Sequence, residues 1–123
     1  MKSILNITFL ASLLFLCTSC HFNKGHFVIT NASDFKIDSL AINPNTKQEF
    51  ISLDQGESMA YSISMTEAKS DGSYFISYKN HENSNKISKS FGYYSNGHQI
   101  EDEIHITVLN DTVLIKSKFD KTY

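Results

Sequence analysis

Eight consecutive residues, Ser58 to Met65, alternate without a break: Met59, Tyr61, Ile63 and Met65 fall on one side of the chain, Ser58, Ala60, Ser62 and Ser64 on the other. A repeat of two matches a strand, whose successive side chains point to opposite faces. On a helix of 3.6 residues per turn the same residues would scatter round the axis. The segment therefore reads as a strand with one buried and one wet face, and it needs a second layer to bury against. The same period recurs where Ile104, Ile106 and Val108 interleave with Glu103, His105 and Thr107, and where Tyr74, Ile76 and Tyr78 share a side.

Shorter apolar runs fill the rest of the chain from His26 onward: His26 to Asn31, Ile37 to Asn43, Lys47 to Leu53, Ser73 to Lys79, Ile87 to Tyr94 and Thr112 to Phe119. Turn chemistry separates them, at Asn31-Ala32-Ser33-Asp34, Asn43-Pro44-Asn45-Thr46, Asp54-Gln55-Gly56-Glu57, Asp71-Gly72 and Asn110-Asp111. Asn96-Gly97 is among the strongest hairpin signals. In Ile87 to Tyr94, strict alternation puts Phe91 and Tyr93 on one side and Tyr94 on the other. Only Thr66 to Ser70 has the chemistry of a helical turn, and the polar stretch Asn80 to Lys86 reads as a mobile loop. The expected fold is all-β: an antiparallel two-sheet β-sandwich, immunoglobulin-like in architecture, with seven or eight strands and at most one short helical turn. The Cys pair and Trp of antibody domains are absent.

The first twenty residues follow other rules. One charge (Lys2), an apolar run from Ile4 to Leu16 and the small residues Thr18 and Ser19 lead into Cys20, the layout of an export signal. The run is too short for a spanning helix, which needs about 20 apolar residues. Leu16-Cys17-Thr18-Ser19-Cys20 resembles the lipobox of bacterial lipoproteins, in which a small residue precedes a Cys that is lipidated before the signal is cut off. Cys17 stands where an aliphatic residue is usual, which keeps ordinary cleavage at the same bond as the alternative. The resemblance implies a signal peptide over 1–19, a lipidated tether over 20–25 with lipid attachment at Cys20, and a sandwich domain over 26–123. Short tether, β-sandwich and the stretch Phe91 to Gly97 together resemble small Gram-negative envelope lipoproteins, which implies a lipid-anchored place in the cell envelope, at the outer membrane.

Beyond Cys20 there is no cysteine, so the domain offers no disulfide, no thiol nucleophile and no cysteine zinc site. All eleven basic residues are Lys. Without the guanidinium fork or a basic patch, nucleic acid is excluded as a partner. No nucleophile elbow, His-Glu-x-x-His or phosphate loop occurs, so the expected role is non-catalytic, with no cofactor. The expected partners are the membrane, through the lipid, and another envelope protein or a glycan. One alternative is an inhibitor or immunity lipoprotein that neutralises a toxin or hydrolase.

Tyr93, Tyr94 and His98 form the candidate binding surface, because tyrosines at a loop end are favoured in recognition. A metal-binding role would use the segment His98 to His105, where Glu101, Asp102 and Glu103 stand between two imidazoles. Glu103 and His105 share a strand face about 7 Å apart, which makes His98, Glu103 and His105 the candidate ligands. The bland reading of the acidic run is a solubilising edge. Asp38-Ser39-Leu40 and Asp111-Thr112-Val113 resemble a three-residue O-glycosylation acceptor. Asn31-Ala32-Ser33 and Asn110-Asp111-Thr112 match the N-linked one, but that chemistry belongs mainly to another secretory system and is set aside.

Overall fold

The computed structural model describes residues 23–120, so the signal segment and Cys20 lie outside the described residues. Nine strands follow one another: β1 (Lys24–Asn31), β2 (Ile37–Asn43), β3 (Ile51–Leu53), β4 (Ser58–Ser64), β5 (Gly72–Lys79), β6 (Lys86–Ser95), β7 (His98–Gln99), β8 (Glu103–Val108) and β9 (Val113–Lys118). They form two sheets, β4-β1-β8-β9 and β3-β2-β5-β6-β7. The sheets enclose one core that includes Phe27, Ile29, Leu40, Ile42, Ile63, Ile76 and Ile106. The chain is a two-sheet β-sandwich, and none of the described residues is helical.

Alternation predicts the buried side wherever the strand is regular. In β4, Ile63 is buried and Tyr61 and Met59 pack against the core, while Ser58, Ala60 and Ser62 are exposed. In β8, Ile104, Ile106 and Val108 face inward. Thr66 to Ser70 makes a turn rather than a helix, closed by the Ala68 N–H donating to the Met65 carbonyl at 3.1 Å.

Four expectations are corrected. Lys24 and Gly25, assigned to the tether, are the first residues of β1, opposite Ser64 and Ile63; Gly25 is buried against Phe27, which ties it to the domain. Of the run Lys47 to Leu53, only Ile51–Leu53 is a strand. The loop read over Asn80 to Lys86 ends one residue earlier, because Lys86 opens β6; its turn is closed by Asn80 N–H to the Asn85 carbonyl (2.8 Å) and Ser84 N–H to the Asn80 carbonyl (3.0 Å). The fourth concerns pairing: the sheets are antiparallel throughout except at β1 and β8, which run parallel in the register Phe27↔Ile104 to Asn31↔Val108. Strands joined by hairpins must be antiparallel, whereas these two lie far apart in sequence and owe their direction to how the chain returns.

Two buried tyrosines of β5 fasten the ends of the sandwich. The Tyr74 hydroxyl donates to Gln99 Oε1 at 3.2 Å, and the Tyr78 hydroxyl reaches the carbonyls of Leu109 and Thr112 at 3.3 and 3.2 Å. At the Tyr78 end, Asn31 is wholly buried and spends its side chain on structure. Its amide nitrogen donates to the carbonyls of Phe35 (2.8 Å) and Leu53 (3.1 Å), and its oxygen accepts from the Ser33 N–H and hydroxyl at 3.0 and 2.5 Å. An N-linked glycan at Asn31 is incompatible with that burial.

Candidate functional site

The sandwich has two ends. One gathers the start of β1, the β2–β3 connection, the turns after β4 and β6, and the β7–β8 connection; the other gathers the four remaining turns around Asn31. The first end is where the chain enters, and it carries a polar cleft of about 380 Å³ lined by Asn23, Lys24, His26, His98, Gln99 and Asp102 among others.

Gln99 builds this end. Its Oε1 accepts the His26 N–H at 2.7 Å and its Nε2 donates to the His26 carbonyl at 3.2 Å. The β4 ladder uses the main chain of the odd-numbered residues of β1, so His26 points its N–H and C=O away from β4. β8 begins at Glu103, level with His26, so the His26 N–H lies at the open end of that ladder, and the Gln99 carboxamide supplies its acceptor. The same Oε1 takes the Tyr74 hydroxyl, so one amide joins both sheets at the cleft floor.

His98 sits there because Asn96 and Gly97 turn the chain back on itself with φ of 51° and 77°, the geometry of a type I′ hairpin. Gly97 is fixed further: a Cβ there would lie 2.6 Å from the Ala68 carbonyl oxygen. Asp71 holds the turn from outside, accepting the Ser95 hydroxyl (3.0 Å) and the Asn96 N–H (2.9 Å). These two bonds keep its carboxyl below the usual aspartate value.

Behind the cleft, Glu101 is 8% exposed. Its Oε1 receives the Ser117 hydroxyl at 3.5 Å, and its Oε2 is buried with no hydrogen-bond partner among the described residues. Burial first, and then the Glu101 charge, push the phenol of Tyr74 far above its ordinary value. Asp102 is committed locally, its N–H donating to the Lys118 carbonyl at 3.0 Å and its Oδ2 accepting the Asp120 N–H at 2.5 Å.

The candidates read from sequence separate in space. His98 is exposed on the cleft. Tyr93 is 46% exposed, but Tyr94 turns inward and packs on Tyr74 with ring centroids 5.2 Å apart. The cause is Gly92, at φ of 58°, which starts a bulge in β6: Gly92 and Tyr93 together face Ser73 between the pairs Tyr74↔Phe91 and Gly72↔Tyr94. One extra residue inverts the alternation, so Tyr94 joins Phe91 on the core side and Tyr93 leaves it. Tyr93, Tyr94 and His98 therefore do not form one surface.

Glu103 and His105 do meet, with Nε2 2.7 Å from Oε1 on the outer face of β8, while His98 lies on β7 of the other sheet. Among the described residues no three His, Asp or Glu side chains converge on a position that could hold a metal ion. Of the O-linked acceptors, Ser39 accepts the Lys79 N–H at 2.9 Å and Thr112 is exposed at the β8–β9 turn. Cys20 lies outside the described residues.

His26, Gln99 and Glu101 escape sequence reasoning. His26 and Gln99 are 73 residues apart, and Glu101 looks like one more acid in a solvated run. The only available signal was the lone amide between the Asn96-Gly97 turn and that run.

An apolar fringe adjoins the cleft. Ile100, 52% exposed, donates its N–H to the Tyr93 carbonyl, and Phe119, 61% exposed, precedes the Asp120 that bonds Asp102. No helix of the described residues is long and apolar enough to cross a membrane. Compared with known protein families, curated proteins and solved structures, the chain matches none.

Proposed function

We propose that the chain is a lipid-anchored bacterial envelope protein, held at the outer membrane through Cys20, whose β-sandwich is a non-catalytic module that binds another envelope protein. The observation that carries this reading is the position of the cleft. Asn23 lines it, three residues beyond Cys20, a reach of about 10 Å. An anchor at Cys20 thus keeps the cleft within a short distance of the bilayer, where a partner in the same membrane layer would meet it.

The surroundings favour a protein ligand. Exposed Ile100, between the cleft residues Gln99 and Glu101, and exposed Phe119, next to the Asp120 that bonds Asp102, stand near a polar hollow with imidazole, amide and carboxylate groups, a mixture that suits protein contacts.

Crosslinking and affinity capture of the tagged full-length chain from intact envelopes test the proposal. One partner in stoichiometric yield is expected from wild type, with the yield falling sharply in Ile100→Asp and His98→Ala. Recovery without any other protein would overturn the protein-partner reading and point to a glycan.

A further inference from the structure

The sandwich has four sheet edges, and the chain protects three of them in the ways edges are ordinarily protected. β3 has three residues and β7 two. β9 projects exposed Lys116 and Lys118. The flank of β6 that β7 leaves open carries Lys86 and Lys89, and the Lys89 ammonium donates to the Val113 carbonyl at 2.8 Å. β4 is different: seven residues, Ser-Met-Ala-Tyr-Ser-Ile-Ser, with no charge, Pro, Gly or bulge, in unbroken register with β1.

Its outward main chain can be assigned. Met65 N–H donates to the Asn23 carbonyl at 2.8 Å and Asn31 N–H to the Glu57 carbonyl at 2.9 Å. Antiparallel ladders alternate, so the odd-numbered residues of β4 bond β1, and Ser58, Ala60, Ser62 and Ser64 aim their N–H and C=O groups away from the sheet. Among the described residues nothing bonds those main-chain groups. The serine hydroxyls are drawn aside, Ser58 to Thr30, Ser62 to His26 and Ser64 to Thr66, and the β2–β3 connection, through Asn45, Lys47 and Glu49, borders a hollow beside Tyr61 to Ser64 without bonding their outward main chain.

The strand is complementary to itself. A two-fold axis through Tyr61 pairs Ser58 with Ser64 and Ala60 with Ser62 of a second copy, each an outward-pointing residue opposite another. Every side chain these pairs bring together on the outer face is small. We propose that β4 is a self-association edge: two copies join antiparallel through β4, giving about eight main-chain hydrogen bonds and one continuous eight-stranded sheet. The two-fold closes the assembly, so it stops at a dimer. Met65, beside the chain entry at Asn23, then lies about 27 Å along the seam from its counterpart at about 3.4 Å per residue. With tethers as short as these, the seam runs along the membrane surface.

A cysteine at Ser62 tests this in the full-length chain in its own membrane, because no cysteine follows Cys20 and the wild type serves as the control. The two Ser62 positions are diagonal neighbours about 7 Å apart in the pairing, within reach of a short bismaleimide. Ser62→Cys should give a crosslinked species of twice the mass. Leu114→Cys, on the opposite edge, should give none. Adding Ala60→Pro, which removes an N–H that bonds nothing in the monomer, or Ala60→Lys, which leaves the β1 ladder intact, should reduce the crosslink to the Leu114→Cys background. No crosslink from Ser62→Cys, or a crosslink indifferent to both Ala60 substitutions, would overturn the proposal.

Discussion

Asn31 and Gly92 show how much of this fold rests on single residues. Asn31→Leu removes the donors that satisfy the Phe35 and Leu53 carbonyls and the acceptor of Ser33. Leaving such buried groups unpaired costs about 3 kcal/mol, to be read as a lower urea midpoint at unchanged slope. Gly92→Ala acts differently. A Cβ would lie 2.7 Å from Ile104 Cδ1 and 3.0 Å from Tyr74 Cδ2, on a backbone at φ of 58°. The backbone alone costs on the order of 1–3 kcal/mol, and because the clash falls on Tyr74 the near-ultraviolet circular dichroism of the tyrosines should change with it. Gly25→Ala makes no such demand on φ and should cost less than Gly92→Ala in the same assay.

At the scale of elements, a strand was legible where its alternation was unbroken and hidden where one residue shifted the phase. β4 and β8 read correctly because their apolar and polar residues alternate over six or more positions, and β5 because Tyr74, Ile76 and Tyr78 keep to the core face although Phe75 is exposed on the other. β6 misled because the Gly92 bulge exchanges the faces of Tyr93 and Tyr94, and glycine in a strand does not announce by itself whether it bulges. The parallel pairing of β1 with β8 left no local mark, since nothing in either strand encodes its distant neighbour. The cleft was hidden for the same reason: His26 and Gln99 become partners only when the packing of the two sheets brings β7 against β1. Gln99→Leu tests that element-level role. It leaves the His26 N–H and the Tyr74 hydroxyl without their acceptor, so amide hydrogen exchange should speed up at His26 and in β7 while the Asn31 end stays protected.

For the whole molecule, the buried tyrosines set the alkaline limit. Burial pushes the phenols of Tyr74, Tyr78 and Tyr61 above 10.0, most strongly at Tyr74. The unfolded chain loses these protons near pH 10 while the folded chain keeps them, so stability is full below pH 10 and falls as pH rises through the raised values. In a titration of phenolate absorbance, Tyr74 and Tyr78 should ionise only together with loss of the fold. Tyr74→Phe should make the alkaline decline in stability less steep, and a decline of wild-type steepness would remove Tyr74 from this role.

The same scale carries the functional account, in which Cys20 places the cleft end of the sandwich at the membrane. β1 begins four residues after Cys20, so an anchor there would act directly on the domain with almost no stalk between them. Incorporation of a labelled fatty acid into the full-length chain tests this most directly: label should enter the wild type and be absent from Cys20→Ser, and a wild type that takes up no label would contradict the account.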